Sequence, residues 1–289
     1  MKLTRMVKLA IKSILSSKAR SFLTMLGIII GVAAVIVIEG IGNGMQKYLA
    51  DQFKSMGTNM LTVTIISRGS TRSVSVDDMY ALVDENSDYF GGLSPNVMVM
   101  ASIKVGTEVL SGTSVTGVSE DFAGMKSFKL SDGRFILYAD CLSRSKVCVV
   151  GSHIAKEYFD GEALGQILRL NGDHFTIVGV LEEMADSESR SADDCVYLPY
   201  TTALSLMRSR TVSSYYFEMK SEDDLDTCKS ILSEALSEKL ASDSFYTIIS
   251  MSEILNTMNE VIGVVVTVLS IIAGISLLVG GIGIMNIML

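Results

Sequence analysis

The chain has 289 residues, enough for one or two domains, and its 48% hydrophobic content and mean hydropathy of +0.41 are high for a protein that meets water on every side. Of its 24 basic residues six precede Glu39, and the other 18 share residues 42–260 with 31 of the 32 acids, leaving a net charge of −13 there. An acidic domain without a basic patch argues against a nucleic-acid partner, because its 18 basic residues are outnumbered and not gathered to neutralise phosphates.

Residues 2–17 open the chain with Leu3, Val7, Ala10, Ile11 and Ile14 at helical spacing and Lys2, Arg5, Lys8 and Lys12 on the other side. The pattern fits a basic amphipathic helix on the inner face of a membrane over residues 1–20, or lysines that only set topology. Ser21 to Ile38 then carries no charge, long enough for a short transmembrane helix over residues 21–41. A cleaved signal peptide is the weaker reading. The apolar run exceeds the usual ~7–15 residues of such a peptide, and Glu39-Gly40-Ile41-Gly42 lacks a small-x-small cleavage pattern. The positive charges before the span predict a cytoplasmic N-terminus and an exported domain.

Met45, Leu49, Phe53 and Met56 continue a helical stripe as a stalk over residues 42–58, with Gly57 as its cap, although Gly40, Gly42 and Gly44 permit a break. Beyond it, residues 59–249 read as a compact α+β domain. Strand, helix and strand are expected at Met60–Ile66, Val76–Val83 and Val97–Val105, and again at Ser214–Met219, Ser221–Leu240 and Phe245–Ile249. Two such units predict a split ferredoxin-like subdomain, with a strand-rich subdomain inserted at about residues 106–212. In the insertion, Gln166–Leu170 and His174–Leu181 flank Asn171-Gly172, a strong hairpin signal.

Ser250-Met-Ser-Glu253 is a capping-box sequence, and Ile254, Leu255 and Met258 form a second stalk over residues 250–260. Val261 to Leu289 follows with no charge, as a second span. The 39 residues from Met251 to Leu289 make ~58 Å of helix, more than the ~30 Å hydrocarbon core needs. Both stalk stripes would be costly in water, so they are expected to pack, the first against the second.

The sequence holds no phosphate loop, no nucleophile elbow and no H-E-x-x-H, so no catalytic site and no cofactor is expected. His153 and His174 have no cysteine at metal-ligand spacing. Asp193-Asp194 and Glu182-Glu183 read as solvated turns. Cys141, Cys148, Cys195 and Cys228 fall in the exported domain and permit disulfides, but Cys148 and Cys195 lie in apolar, strand-like surroundings that favour buried free thiols. The small residues Gly27, Gly31, Ser276, Gly280, Gly281 and Gly283 lie in the two spans, where they allow helices to approach closely. Neither span has an interior charge, which argues against an ion pathway through them.

The stretch from Ile272 to Leu289, IAGISLLVGGIGIMNIML, resembles the second transmembrane helix of MacB-type permeases, the FtsX-like subunits of ATP-binding-cassette (ABC) systems. Arg20 to Val35 is similar to the family's opening helix, and Gly57-Thr-Asn59 to its step into the exported domain. Gly133-Arg-Phe135, Val149-Val-Gly151, Leu164-Gly165 and the stretch from Asn171 to Val180 fall in the order expected of its extracytoplasmic core domain. The resemblance implies a non-catalytic permease in the cell membrane, partnered by a cytoplasmic ABC ATPase, a second permease copy and a membrane-fusion or adaptor protein. Stalk movement would then drive export of antimicrobial peptides, macrolides or similar amphiphiles. The alternatives are an FtsX-like regulator of a cell-wall hydrolase, a lipoprotein-releasing permease, or a two-span receptor. Members of the family have four spans, so this chain, ending at Leu289 inside an apolar run, is expected to be a fragment.

Overall fold

A computed structural model describes residues 18–54, 59–66, 74–184 and 189–288. The expected amphipathic helix before Lys18, the Gly57 cap and the side chains of Phe53 and Met56 lie outside the described residues. The chain divides into two compact units, residues 1–52 with 255–289, and residues 53–254.

The first unit is built on two long helices. Helix α1 is Lys18–Lys54, and it is unbroken at Gly40, Gly42 and Gly44, where the sequence permitted a break. Glycine lowers helix propensity by only about 1 kcal/mol per residue, which a long apolar helix tolerates. The last helix of the chain, Met251–Met288, is also continuous.

In the second unit the elements follow in chain order. They are β1 (Met60–Ile65), α2 (Val76–Glu85), β2 (Phe90–Met98), β3 (Ile103–Val105), β4 (Glu108–Leu110), β5 (Ser114–Val118), α3 (Phe122–Met125), β6 (Leu130–Gly133) and α4 (Tyr138–Ser143). Then come β7 (Val147–Val150), α5 (Ser152–Phe159), β8 (Ile167–Leu170), β9 (Asp173–Leu181), β10 (Cys195–Pro199) and α6 (Tyr200–Leu206). The unit closes with β11 (Ser214–Met219), α7 (Leu225–Leu240) and β12 (Tyr246–Ser250), so the long helix at Met251 is α8.

The strands form one mixed path, β12-β1-β11-β2-β5-β10-β7-β9-β8-β3-β4, with β6 beside β9. Its first four strands are antiparallel to their neighbours. Along β1 and β11 burial alternates, so Leu61, Val63, Tyr215, Phe217 and Met219 point to one face. There they join Met79 of α2 and Leu232 and Leu236 of α7 in the main core, and Lys239 of α7 reaches Asp78 of α2 at 2.6 Å. The Ser75–Asp78 capping box starts α2, each side chain accepting from the other's backbone N–H at 3.0 Å.

Two expectations are corrected here. The strand expected at Val97–Val105 is two strands, the end of β2 and all of β3, with residues 99–102 between them. The sequence hid most of β2 because Gly91, Gly92 and Pro95 are poor strand formers. Pairing with β11 from Phe90 to Asn96 carries this segment, and β5 joins only from Val97, so Pro95 faces no second strand. The helix expected from Ser221 begins as a 3-10 turn, Glu222–Asp224, before α7. The β8–β9 hairpin forms as read: Leu170 pairs with Asp173, and Asn171 and Gly172 both take positive φ, 51° and 93°.

Candidate functional site

Along α1, residues 27, 28, 31, 34, 35, 38, 42, 46 and 49 are buried or half-buried while most of the others are exposed, a single stripe at helical period. On α8 the matching stripe runs through residues 259, 262, 266, 270, 273 and 280. The two stripes meet. A Cβ on Gly27 would lie 3.9 Å from the Gly280 backbone, one on Gly31 would lie 3.0 Å from Leu277, and one on Gly42 would lie 2.5 Å from Val266. Each pair advances on one helix as it retreats on the other, so the helices pack antiparallel with glycine backbones at the contact.

The structure thus brings together Gly27, Gly31 and Gly280 of the expected packing residues. Gly283 is half-buried, a Cβ on Gly281 would have nothing within 4 Å of it, and Ser276 turns back to its own helix, donating to the Ile272 carbonyl at 3.1 Å. The reading of the sequence missed Gly42, although it stands 11 residues after Gly31, close to three turns at 3.6 residues per turn. Of the stalk residues, Met45 and Met258 are exposed, whereas Leu49, Ile254 and Leu255 are half-buried. Continuing the register of the glycine contacts sets Leu49 level with Asn259, whose side-chain oxygen is buried, and one helical turn from Leu255.

Away from the seam the helix pair is apolar and uncovered, with Ile29 63% and Leu278 68% exposed. Windows of mean hydropathy 2.4 in α1 and 2.7 in α8 are only 11% and 6% buried, so these are not core helices of a water-surrounded domain. A polar face starts at Glu39. With Asn43 and Gln46 it lines a recess of about 360 Å³ beside Gly42, Gly263 and Val266.

The second unit yields no catalytic centre among the described residues, and no group of three His, Cys, Asp or Glu side chains there could hold a metal. Asp193 and Asp194, expected in solvent, are buried. Their carboxylates accept from the backbone N–H groups of Met184 and Arg190, both at 2.8 Å. Glu183 behaves as expected of a surface acid, paired with Lys156 at 2.6 Å. All four cysteines are free and buried, and burial pushes the Cys141 and Cys195 thiols up to about 12, which keeps them unreactive.

The motif glycines are structural. Gly133, at φ 76°, and Gly179 pair across β6 and β9, and a Cβ on either would lie 2.2 Å from a carbonyl oxygen of the other strand's segment. Next to Gly133, Arg134 holds Asp140 at 2.6 Å.

Residues 21–235 match the family described as the MacB-like periplasmic core domain. The macrolide export ATP-binding/permease protein MacB of Chlorobium luteolum is 31% identical over 98% of the chain and 44% of its own length. The chain thus spans less than half of that relative. An uncharacterized ABC transporter permease of Bacillus subtilis, YknZ, is 29% identical over 100% of the chain and 74% of its own length. Among solved structures, the periplasmic region of MacB from Actinobacillus actinomycetemcomitans superposes with a TM-score of 0.59 at 19% identity, covering 71% of this chain and 94% of that one.

Proposed function

This chain belongs to the MacB-like family of ABC transporter permeases, and from that premise we propose that it couples ATP binding by a separate cytoplasmic ATPase to movement of an extracytoplasmic domain. The observation that carries the reading is the helix pair. Two helices of 37 and 38 residues run unbroken through glycine contacts, each longer than the ~20 residues that span a bilayer. A rigid helix that outruns the hydrocarbon transmits displacement along its axis. In this reading α1 and α8 cross the cell membrane, the N-terminus is cytoplasmic, and residues 59–249 lie outside it.

The domain is a split ferredoxin-like subdomain carrying an inserted strand-rich one. The order β12-β1-β11-β2, with α2 and α7 over one face, supports that assignment. The work done is export of amphiphiles such as macrolides or antimicrobial peptides, in a dimer of permeases with an adaptor outside. The names of the MacB relatives support macrolides as cargo, and antimicrobial peptides rest on the family resemblance alone.

Cross-linking tests the coupling. In the full-length permease with its native cysteines replaced, Leu49→Cys should cross-link to Asn259→Cys, and to Leu255→Cys less readily. Adding the ATPase with ATP should change the ratio of the two products. Closing the first bond should abolish export while leaving ATPase binding intact; full export with the bond closed would remove the coupling role from this helix pair.

A further inference from the structure

A cleft of about 520 Å³ opens between α2, Glu120 just beyond β5, α4 with the following Arg144, and the start of α6. Its volume lies in the range of sites for small ligands, about 300–1,000 Å³. Asp77, Tyr80 and Asp84 recur at i, i+3 and i+7, so α2 presents two turns of one face to it. Glu120 enters from the β5 side, and Tyr138 and Tyr200 come from the first turns of α4 and α6. The opposite wall is held together by hydrogen bonds from Thr201 Oγ1 to the Cys141 carbonyl at 2.6 Å and from Thr202 Oγ1 to the Ser145 carbonyl at 3.0 Å. The cleft is preformed.

Two features of this lining point to one chemistry. Among the described residues none of the three carboxylates makes an ion pair, although Asp78, between two of them in sequence, is paired with Lys239 on another face of α2. The single cation of the lining, Arg144, is exposed and pairs with none of them. The rim is apolar: Tyr138 is 61% exposed and Leu142 66%. Carboxylates without an ion pair, lining one cleft with tyrosine rings, attract an amine or guanidinium by charge, and the rings add an affinity for cations. An apolar body joined to that cation would cover Leu142 and the ring of Tyr138. Burial raises the affinity of Glu120 for its proton, with the neighbouring Asp121 adding to the effect, so a cation entering beside it relieves an unfavourable charge.

We propose that this cleft binds cationic amphiphiles, molecules with a protonated amine next to an apolar group, and is where the exported domain meets its cargo. The cargo assignment rests on the export reading above; the binding assignment rests on the cleft alone.

The test uses the whole chain in nanodiscs, with empty nanodiscs as the blank for partitioning into lipid. The probes are 4-phenylbutylamine, neutral 4-phenylbutanol and anionic 4-phenylbutyrate, followed by titration calorimetry and saturation-transfer NMR. The amine should bind, and the alcohol and acid should bind at least tenfold more weakly. Asp77 and Asp84 are exposed, so Asp77→Asn with Asp84→Asn leaves packing untouched and should lower amine affinity roughly tenfold, the sum of two modest surface charge terms. Equal binding of amine and alcohol, unchanged binding in the double variant, or no binding above the empty nanodisc would each overturn the proposal. No ATPase takes part. Failure here therefore leaves the coupling test standing, and failure of the coupling test leaves the cleft as a binding site.

Discussion

The two units of this molecule use apolar residues in opposite ways. In residues 53–254 large apolar side chains such as Phe90, Phe175, Phe217 and Tyr215 are fully buried in a core. In the helix pair the large side chains are outside, and the contact is made where side chains are smallest, at Gly27, Gly31 and Gly42. If α1 and α8 cross the membrane as proposed, the difference is one of solvent. Water drives large apolar groups together, at about 25 cal/mol per Å² removed from it. Lipid gives them no such reason to meet, so close backbone approach and dispersion decide which faces touch. On the membrane reading proposed above, the exposed apolar surface of the helix pair faces lipid and the buried core of residues 53–254 belongs to a domain in water.

The largest effect that sharpens the contrast is expected in the domain. Phe217 is fully buried, with its ring 5.7 Å from that of Phe90, and Phe217→Ala should cost about 3–5 kcal/mol, read as loss of the thermal transition of the exported domain in the intact permease. A matching truncation on the lipid face, Ile36→Ala, should leave that transition where it is. Equal shifts from the two would break the comparison.

A smaller effect belongs to the seam. Gly42→Leu drives a side chain into Val266, whereas a Cβ on Gly44 would have nothing within 4 Å, so Gly44→Leu starts from open space. The first should weaken the helix pair by about 1–2 kcal/mol and the second should not, measured by the yield of the Leu49→Cys to Asn259→Cys cross-link. Similar yields for both would mean that glycine position does not matter in this pair.

The smallest effect is electrostatic and confined to the water-facing unit. Burial opposes ionisation of Asp140, but hydrogen bonds from Arg134 and from the Leu137 N–H outweigh it and hold the carboxyl below its ordinary value. A depressed carboxyl stabilises the fold fully above its unfolded value, near 4, and that contribution fades as pH falls through the lower folded value. Because Arg134 is half-exposed, Asp140→Asn should cost only about 1 kcal/mol at pH 7. The gap between variant and parent in denaturant melts should close in strong acid; a gap independent of pH would assign the loss to packing instead.

What the sequence determined by itself is whatever is written in neighbouring residues. The two uncharged stretches announce long apolar helices, alternation marks β1 and β11, Ser75 to Asp78 starts α2, and Asn171-Gly172 turns the hairpin. Each depends on side chains within a few positions of one another. Tertiary structure decided the rest. Strand β2 forms through Gly91, Gly92 and Pro95 because β11, more than a hundred residues later, supplies its hydrogen bonds. Asp193 and Asp194 can be buried because Met184 and Arg190 offer them backbone N–H groups. Gly42 matters because Val266 stands against it. The acidic, tyrosine-lined cleft draws on residues from 77 to 201, from segments that have no pattern in common, so only the fold could assemble it. Local order follows from local sterics and periodicity, while a site built from distant segments depends on contacts that no short window of sequence contains.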